Sequence, residues 1–183
     1  ELYRRNTDNN GPYNFVFTGS LTNRKRVDLL IKAISQLDKK GHDVICNIIG
    51  DGNLHDELLN KINELDIGHL INLHGNLVNP FYEISKADIF VLPSLSEGVS
   101  RSSMEALYLG IPCILRDIDG NSELVKNGVN GSLFSNENTL SEIMIAMAIE
   151  SRTKKSYNSS LLPDNFRQSS SVAMIEKIIG INN

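Results

Sequence analysis

The stretch VICNIIGDG at residues 44–52 decides the fold class. A near-continuous apolar run of this length is typical of a strand that is covered on both faces, as in parallel sheets. Asn53 follows as a candidate helix cap, with Asp56 and Glu57 in the first turn, where they suit the positive end of the helix dipole. The stretch therefore predicts a strand, a tight loop and a helix.

The same alternation extends from this unit toward both ends of the chain. Strands are predicted over 14–18, 44–49, 70–73, 88–92, 112–115 and 132–134, and helices over 25–39, 81–86, 102–109, 120–126 and 139–148, with a further amphipathic stretch at 172–179. Such alternation indicates right-handed βαβ units and an α/β fold with a doubly wound, Rossmann-like parallel sheet. Ligands of such sheets bind beyond the carboxyl ends of the strands, so the loops after the strands are the places to search for a site.

The chain of 183 residues is long enough for one well-packed domain. Residues 1–13 are polar and are interpreted as a linker or a cut end. The folded domain is expected over 14–165, and a C-terminal tail helix over 166–183.

Composition narrows the class of function. The net charge is −4, whereas nucleic-acid-binding proteins usually have a basic face, so nucleic acid is not an expected partner. No apolar run reaches the roughly 18 residues that a membrane span needs. The polar start of the chain does not resemble a signal peptide. We therefore expect a cytoplasmic protein.

The cysteines and histidines give no sign of a disulfide or a metal site. Cys46 and Cys113 each lie in an apolar strand, which predicts two buried, reduced thiols. The four histidines show neither HxxxH nor HExxH spacing, so no zinc site is expected.

The loop after the first strand, TGSLTNRKR at residues 18–26, is one candidate ligand loop. Gly19 would let a ligand approach the backbone closely, and Lys25 at the start of the next helix would suit a phosphate. A turn glycine beside a solvated basic cluster explains the same residues. The loop has neither the GxGxxG nor the GxxxxGK[ST] pattern. The GDG at 50–52 is equally compatible with a plain turn and with ligand contact.

The loop PSLSEGVSRSSMEA at residues 93–106 carries more chemistry. Glu97 lies at the mouth of the predicted sheet, and Glu105 lies early in the next helix. The backbone N–H groups between them form a candidate anion site, and a carboxylate beside it could accept two hydrogen bonds from a ribose diol. The alternatives are structural: Ser102 with Glu105 fits a capping box, and Glu97 could be a solvated loop acid.

Glu97 and Glu105, followed by GIP at 110–112, resemble the EX7E signature of glycosyltransferase family 4, retaining enzymes of the GT-B fold. Further matching segments follow the family order: FTG at 17–19, Lys25, VDLL at 27–30, IGDG at 49–52, HGN at 74–76, ADIFVLPS at 87–94, and DG, ELV and NG at 119–120, 123–125 and 130–131. The similarity covers roughly residues 14 to 150. It implies the C-terminal, nucleotide-sugar-binding half of a GT-B glycosyltransferase, with 14–165 as the donor domain and an N-terminal acceptor domain elsewhere.

The resemblance also implies roles for individual residues. Lys25 would bind the donor diphosphate, Glu105 the ribose hydroxyls, and Glu97, the candidate catalytic residue, would contact the transferred sugar. The remaining expected donor-binding residues are Gly19 and Ser20 in the first loop, Asn76 and Leu77 beside the base, and Gly98, Val99, Ser100 and Arg101, whose amides would contact sugar and phosphate.

Two positions depart from the family pattern. Ser20 stands where the family has arginine, and Arg26 stands where it usually has glycine. We hypothesise that Arg101, at a position that is apolar in many members, replaces the missing charge. The alternative is that Arg101 faces solvent or pairs with an acid. Arg24 and Arg26 are weaker substitutes, since on a helix they would point about 100° away from Lys25.

The expected function is transfer of a hexose-type sugar from a nucleoside diphosphate sugar to a glycan or glycolipid, in bacterial surface polysaccharide synthesis. UDP is favoured over GDP. No metal or other cofactor is expected, because cationic side chains and a helix dipole can stabilise a leaving diphosphate. The longer protein is expected at the inner face of the membrane, and this chain alone is expected to be inactive. A nucleotide-sugar epimerase half and a non-catalytic nucleotide-binding module, which Ser20 favours, are the alternatives.

Overall fold

The computed structural model describes residues 11–118, 120–153, 159–167 and 170–179. Its strands are β1 (Tyr13–Thr18), β2 (Val44–Ile49), β3 (Ile71–Gly75), β4 (Ile89–Leu92), β5 (Cys113–Arg116) and β6 (Gly131–Phe134). Its α-helices are α1 (Val27–Lys39), α2 (His55–Glu64), α3 (Phe81–Ser85), α4 (Arg101–Tyr108), α5 (Asn121–Leu124), α6 (Leu140–Thr153) and α7 (Ser170–Ile179). Short 3-10 turns lie at Asn23–Lys25, Glu137–Thr139 and Asp164–Phe166.

The six strands form one parallel sheet in the order β3-β2-β1-β4-β5-β6. The chain winds outward from β1 to β3 and then returns to add β4 on the other side of β1. The strand order therefore reverses between β1 and β4, and the loops that leave these two strands open a crevice at the carboxyl edge. The predicted doubly wound α/β fold is confirmed.

The core lies on both faces of the sheet. All four residues of β4 are buried, as are Phe15 and Phe17 of β1. Helix α1 covers one face with Leu30, Ile34 and Leu37, which recur at the spacing of one helical stripe and are fully buried. Burial on both faces explains why the strands read as continuous apolar runs rather than as alternating ones.

The two cysteines belong to this core. Cys46 in β2 and Cys113 in β5 are buried and free of disulfides, as predicted. Burial raises the pKa of both thiols above the ordinary range, so they stay protonated at neutral pH.

Several element boundaries differ from those predicted. Strand β1 begins one residue early, at Tyr13. Asn53 does not cap α2, because the helix starts after Leu54 without a side-chain cap. At the carboxyl end α7 packs against α4, where the Tyr108 hydroxyl donates to a Glu176 carboxylate oxygen at 3.0 Å. Residues 1–10 of the predicted linker, 119 and 154–158 of the predicted domain, and 168–169 and 180–183 of the predicted tail lie outside the described part.

Candidate functional site

The loops after β1 and β2 pack backbone against backbone. A Cβ atom at Gly50 would lie 1.9 Å from the Gly19 carbonyl oxygen, and one at Gly52 would lie 2.4 Å from the Leu21 carbonyl oxygen. The Leu21 N–H also donates to the Asp51 carbonyl at 3.0 Å. The GDG sequence thus serves close packing: it holds the first loop in place and is absent from the cleft described below.

Lys25 is not on a helix, contrary to the prediction. It ends the 3-10 turn Asn23–Lys25, and Arg26 then adopts the left-handed conformation with φ 50° and ψ 42° before α1 begins at Val27. A left-handed residue interrupts the helical path, which is why the predicted helix over 25–39 starts two residues late. Residues other than glycine rarely adopt a left-handed conformation.

The side chain of Arg26 turns away from the first loop. Its guanidinium pairs with Asp28 at 3.0 Å and with Glu137 at 3.1 Å, and Glu137 also pairs with Arg116 at 2.8 Å. These contacts hold the 3-10 turn before α1 against the turn before α6. Arg26 is therefore a structural residue at this end of the sheet.

Glu97 lies between two cations from the first loop. Lys25 Nζ is 2.5 Å from Glu97 Oε1, and Arg24 Nη1 is 3.2 Å from the same oxygen. The Lys25 and Glu97 side chains are only 10% and 9% exposed. The interpretation of Glu97 as a solvated loop acid is therefore wrong.

Arg24 is a site residue that sequence reasoning missed. Besides Glu97, its Nη1 donates to the Ser96 carbonyl at 2.7 Å, and its own carbonyl accepts from the Leu95 N–H at 2.8 Å. Arg24 would point away from Lys25 only if both residues lay on one continuous helix. The 3-10 turn brings both side chains to Glu97, and the left-handed Arg26 ends that turn. In the sequence, the one sign of this was that Arg26 stands where the family resemblance implies glycine.

Burial alone would raise the pKa of Glu97. The hydrogen bond from Lys25, the neighbouring Ser94 hydroxyl and the positive charges of Lys25 and Arg24 outweigh it, so that the pKa is lowered below the ordinary value of a glutamate. Glu97 is therefore ionised at neutral pH. It can orient or attract a polar group, and it cannot act as a proton donor there.

Helix α4 begins with a different cap from the one predicted. Ser100 is the N-cap, and its hydroxyl oxygen accepts from the Ser103 N–H at 3.4 Å. The predicted capping box of Ser102 and Glu105 is wrong, because Ser102 lies inside the first turn. Glu105 therefore has no part in capping α4.

Glu105 lies one helical turn after Arg101 on α4. It is half-buried, and its carboxylate makes no hydrogen bond or ion pair with the residues that the structure describes. Burial raises its pKa to about 7, against the opposing effect of the Arg101 charge. A half-buried carboxylate without a partner is costly unless a ligand completes it.

The two loops and the start of α4 enclose an open cleft of about 340 Å³ at the switch point between β1 and β4. Its lining residues are Thr18, Gly19, Ser20, Arg24, Lys25, Glu97, Val99, Ser100, Arg101, Ser102 and Glu105. The hydroxyl of Thr18 is buried and lacks a hydrogen-bond partner among the described residues. The cleft therefore presents three cationic side chains, two carboxylates and an unsatisfied hydroxyl.

Eight of the eleven predicted site residues line this cleft, and three do not. Gly98 is exposed and lies just outside the cleft. Its backbone packs against Gly120, where an added Cβ atom would lie 2.7 Å from the Gly98 carbonyl oxygen. Asn76 and Leu77 are exposed after β3, which lies two strands away from β1. Their contact with a base stays a prediction.

The described ranges contain neither a cluster of metal-ligating side chains nor a helix suited to cross a membrane. No group of three or more His, Cys, Asp or Glu side chains there comes together as metal ligands would. No helix within those ranges combines the length and apolarity needed to cross a membrane.

The fold matches that of solved GT-B glycosyltransferases. The HepE protein of Anabaena, solved in complex with UDP-glucose, has this fold: the TM-score is 0.77 at 20% sequence identity, over 98% of this chain and 54% of that one. Residues 1–158 match the family of group 1 glycosyl transferases. The chain belongs to that family.

Curated relatives agree with this assignment. An uncharacterised glycosyltransferase of Methanocaldococcus jannaschii is 32% identical over 154 residues, which are 80% of this chain and 42% of the relative. The O-antigen biosynthesis glycosyltransferase WbnH of Escherichia coli is 35% identical over 124 residues, 68% of this chain and 34% of the relative. The chain thus spans less than half the length of these two relatives.

Proposed function

We propose that this chain is the donor-binding domain of a retaining, family 4 glycosyltransferase that moves a hexose-type sugar from a nucleoside diphosphate sugar to a glycan or glycolipid. The observation that carries the proposal is the cleft itself. It holds a half-buried carboxylate, Glu105, that has no partner among the described residues, together with the cations Arg24, Lys25 and Arg101. A nucleoside diphosphate supplies the complement, a diol that donates hydrogen bonds and phosphates that accept them.

Glu105 would receive the ribose hydroxyls. Two vicinal hydroxyls can donate to the two oxygens of one carboxylate, and hydrogen bonding to a charged group contributes about 1.5–3 kcal/mol. The ionised form is the better acceptor, so ribose binding would draw the carboxyl toward ionisation and lower its raised pKa.

The diphosphate would lie against the start of α4. Val99, Ser100 and Arg101 line the cleft at the N-terminus of α4, where the helix dipole favours an anion. Lys25 and Arg101 would add positive charge, and the short Ser20 side chain leaves the first loop open. These groups can stabilise the charge that develops on a leaving diphosphate without a metal ion.

Glu97 would lie against the transferred sugar. Its ionisation suits acceptance of a hydrogen bond from a sugar hydroxyl and attraction of a cationic transition state. Retention would then follow from front-side attack within a tight ion pair, with Glu97 as the electrostatic partner rather than a proton donor. Asn76 and Leu77 would hold the base at the far side of β1.

UDP is the nucleotide that we favour, and the HepE structure holds UDP-glucose. The name of WbnH supports a role in surface polysaccharide synthesis. The acceptor would bind a second domain in the longer protein, which would act in the cytoplasm at the membrane surface. This chain alone would not transfer sugar, since catalysis needs both substrates held together.

Calorimetry of the 183-residue chain tests the proposal. UDP should bind more tightly than GDP, and excess EDTA should leave the affinity unchanged. Absence of binding by either nucleotide at millimolar concentration would contradict the function. An acceptor-free incubation of the longer protein with nucleotide sugar tests the epimerase alternative, because only an epimerase would change the sugar there. An intact acceptor domain in the longer protein would favour an enzyme over a non-catalytic module.

The proposal also assigns Arg101 the charge that the first loop lacks at Ser20. Arg101 is exposed, and no ion pair joins it to Glu97 or Glu105 within the described ranges. In the longer protein, Arg101→Ala should lower turnover more than donor affinity, and added Ser20→Arg should recover part of the loss. Unchanged turnover and affinity in Arg101→Ala would exclude this compensation.

A further inference from the structure

We propose that Arg24 is a diphosphate-binding residue of the cleft, which both positions Glu97 and donates to the ligand's phosphate oxygens. The inference rests on the proposed function and adds a residue to it. It starts from the 3-10 turn Asn23–Lys25, which turns the Arg24 side chain into the cleft rather than out along α1.

Within the described part of the chain, only one nitrogen of the Arg24 guanidinium makes hydrogen bonds. Nη1 donates to the Ser96 carbonyl and to Glu97, while Nε and Nη2 make no hydrogen bond with the described residues. A guanidinium carries five N–H donors in a planar fork that matches phosphate oxygens. Three donors thus remain on a side chain that is held at one end and half exposed at the cleft.

The ion pairs in the cleft indicate which cation is better able to bind an incoming diphosphate. The Lys25 ammonium lies 2.5 Å from a Glu97 oxygen, so an incoming diphosphate meets a cation whose charge is already opposed. Arg24 shares that carboxylate at a longer distance, 3.2 Å, and through a single nitrogen. Arg24 therefore retains more capacity for a second anion than Lys25 does.

The same contacts make Arg24 a bridge between the two loops. Its backbone carbonyl accepts from Leu95, and its side chain holds Ser96 and Glu97. Phosphate binding to the free edge of the guanidinium would therefore be felt at Glu97, the residue proposed to face the sugar. Diphosphate recognition and sugar placement would share one side chain.

The test compares ligands that differ only in phosphates. Affinities of UDP, UMP and uridine are measured by calorimetry for the wild-type chain, Arg24→Ala and Arg24→Lys. Arg24→Ala should weaken UDP roughly 10-fold or more, the factor for a charge-assisted hydrogen bond, and change uridine less than about twofold. Arg24→Lys should fall between, since it keeps the charge and loses the fork. Arg167→Ala removes an arginine outside the cleft, paired with Asp164, and should change none of these affinities.

The outcomes are distinguishable. Equal weakening of UDP and uridine in Arg24→Ala would mean that Arg24 only orders the loop, and this overturns the inference while the proposed function stands. Unchanged UDP affinity in Arg24→Ala overturns it as well. If the wild-type chain binds no nucleotide, the proposed function fails and the inference with it. Thermal unfolding of each variant checks the fold, and Arg24→Lys provides the same comparison should the alanine variant not fold.

Discussion

Two carboxylates at the same cleft have opposite surroundings. Glu97, in the loop after β4, pairs with Lys25 and Arg24, and its pKa is lowered. Glu105, on α4, has no partner among the described residues, and burial raises its pKa to about 7. The protein itself pairs the first carboxylate and leaves the second without a partner among the described residues, so the first is held in place before a ligand binds and the second is open to receive one.

The largest expected effect comes from breaking the ion pair between Lys25 and Glu97. Lys25→Met leaves the buried Glu97 with Arg24 alone and should lower the free energy of unfolding at pH 7 by about 2–3 kcal/mol, somewhat below the usual cost of breaking a buried pair. Because the pKa of Glu97 is lowered in the folded protein, the pair stabilises above the ordinary glutamate pKa. The deficit should therefore shrink as the pH falls through the lowered pKa.

Urea unfolding at several pH values measures this deficit. Lys40→Met is the matched control, because Lys40 and Glu142 form a surface pair with side chains 51% and 69% exposed. Its loss should be below about 0.5 kcal/mol. Equal losses in the two lysine variants would contradict the role given to the Lys25–Glu97 pair.

The second prediction tests Glu105, the carboxylate that has no partner among the described residues. Glu105→Ala should weaken UDP binding by about 1.5–3 kcal/mol, the scale of hydrogen bonds to a charged group. Ser100→Ala, which removes the observed cap of α4, should instead cost about 0.5–2 kcal/mol of stability. Calorimetry and urea unfolding are applied to both variants. Stability loss with unchanged affinity in Glu105→Ala would return Glu105 to a structural role.

The third prediction concerns how the free energy of unfolding depends on pH through the protonation of Glu105. Folding raises the pKa of Glu105 from 4.5 to about 7, so the folded state favours the protonated form and wild-type stability falls as the pH rises between these values. Glu105→Gln should therefore match the wild type at pH 4 and exceed it by about 1–2 kcal/mol at pH 8, after allowance for solvent screening. Glu64→Gln, an exposed change on α2, should show no such divergence. A constant gap across this range would contradict the raised pKa.

The smallest effect should come from Arg101→Ala. The Arg101 charge lowers the pKa of Glu105, so its removal should move that pKa upward by a few tenths of a pH unit, the scale of an exposed pair one helical turn apart. UDP affinity, which should strengthen as Glu105 ionises, would then rise at a correspondingly higher pH. A pH profile of affinity in both proteins measures the shift. A midpoint that stays or moves downward would contradict it.

The sheet could be predicted because its physical signal is local. Strands buried on both faces read as apolar runs, as in Ile89–Leu92, and the intervening helices show their stripe, as in α1. Eight predicted residues also line one cleft because parallel strands end at a common edge. None of this required knowledge of side-chain contacts.

The contacts that distinguish the two carboxylates could not be predicted. The direction of Arg24 depends on the left-handed Arg26, a backbone choice stabilised through Asp28 and Glu137, the latter far along the chain. The cap of α4 depends on which of several adjacent serines begins the helix, and all of them suit the position chemically. Both features are decided by tertiary packing.

The interlocked loops after β1 and β2 have a consequence for how this cleft can evolve. Any side chain at Gly50 or Gly52 would displace the carbonyls of Gly19 and Leu21. Although these two glycines lie outside the cleft, a selection would recover substitutions there only as losses of binding. Val99 also lines the cleft and is exposed, so its substitution should leave this packing unchanged. New donor preferences are therefore accessible from the α4 side, while the first loop is held to one shape.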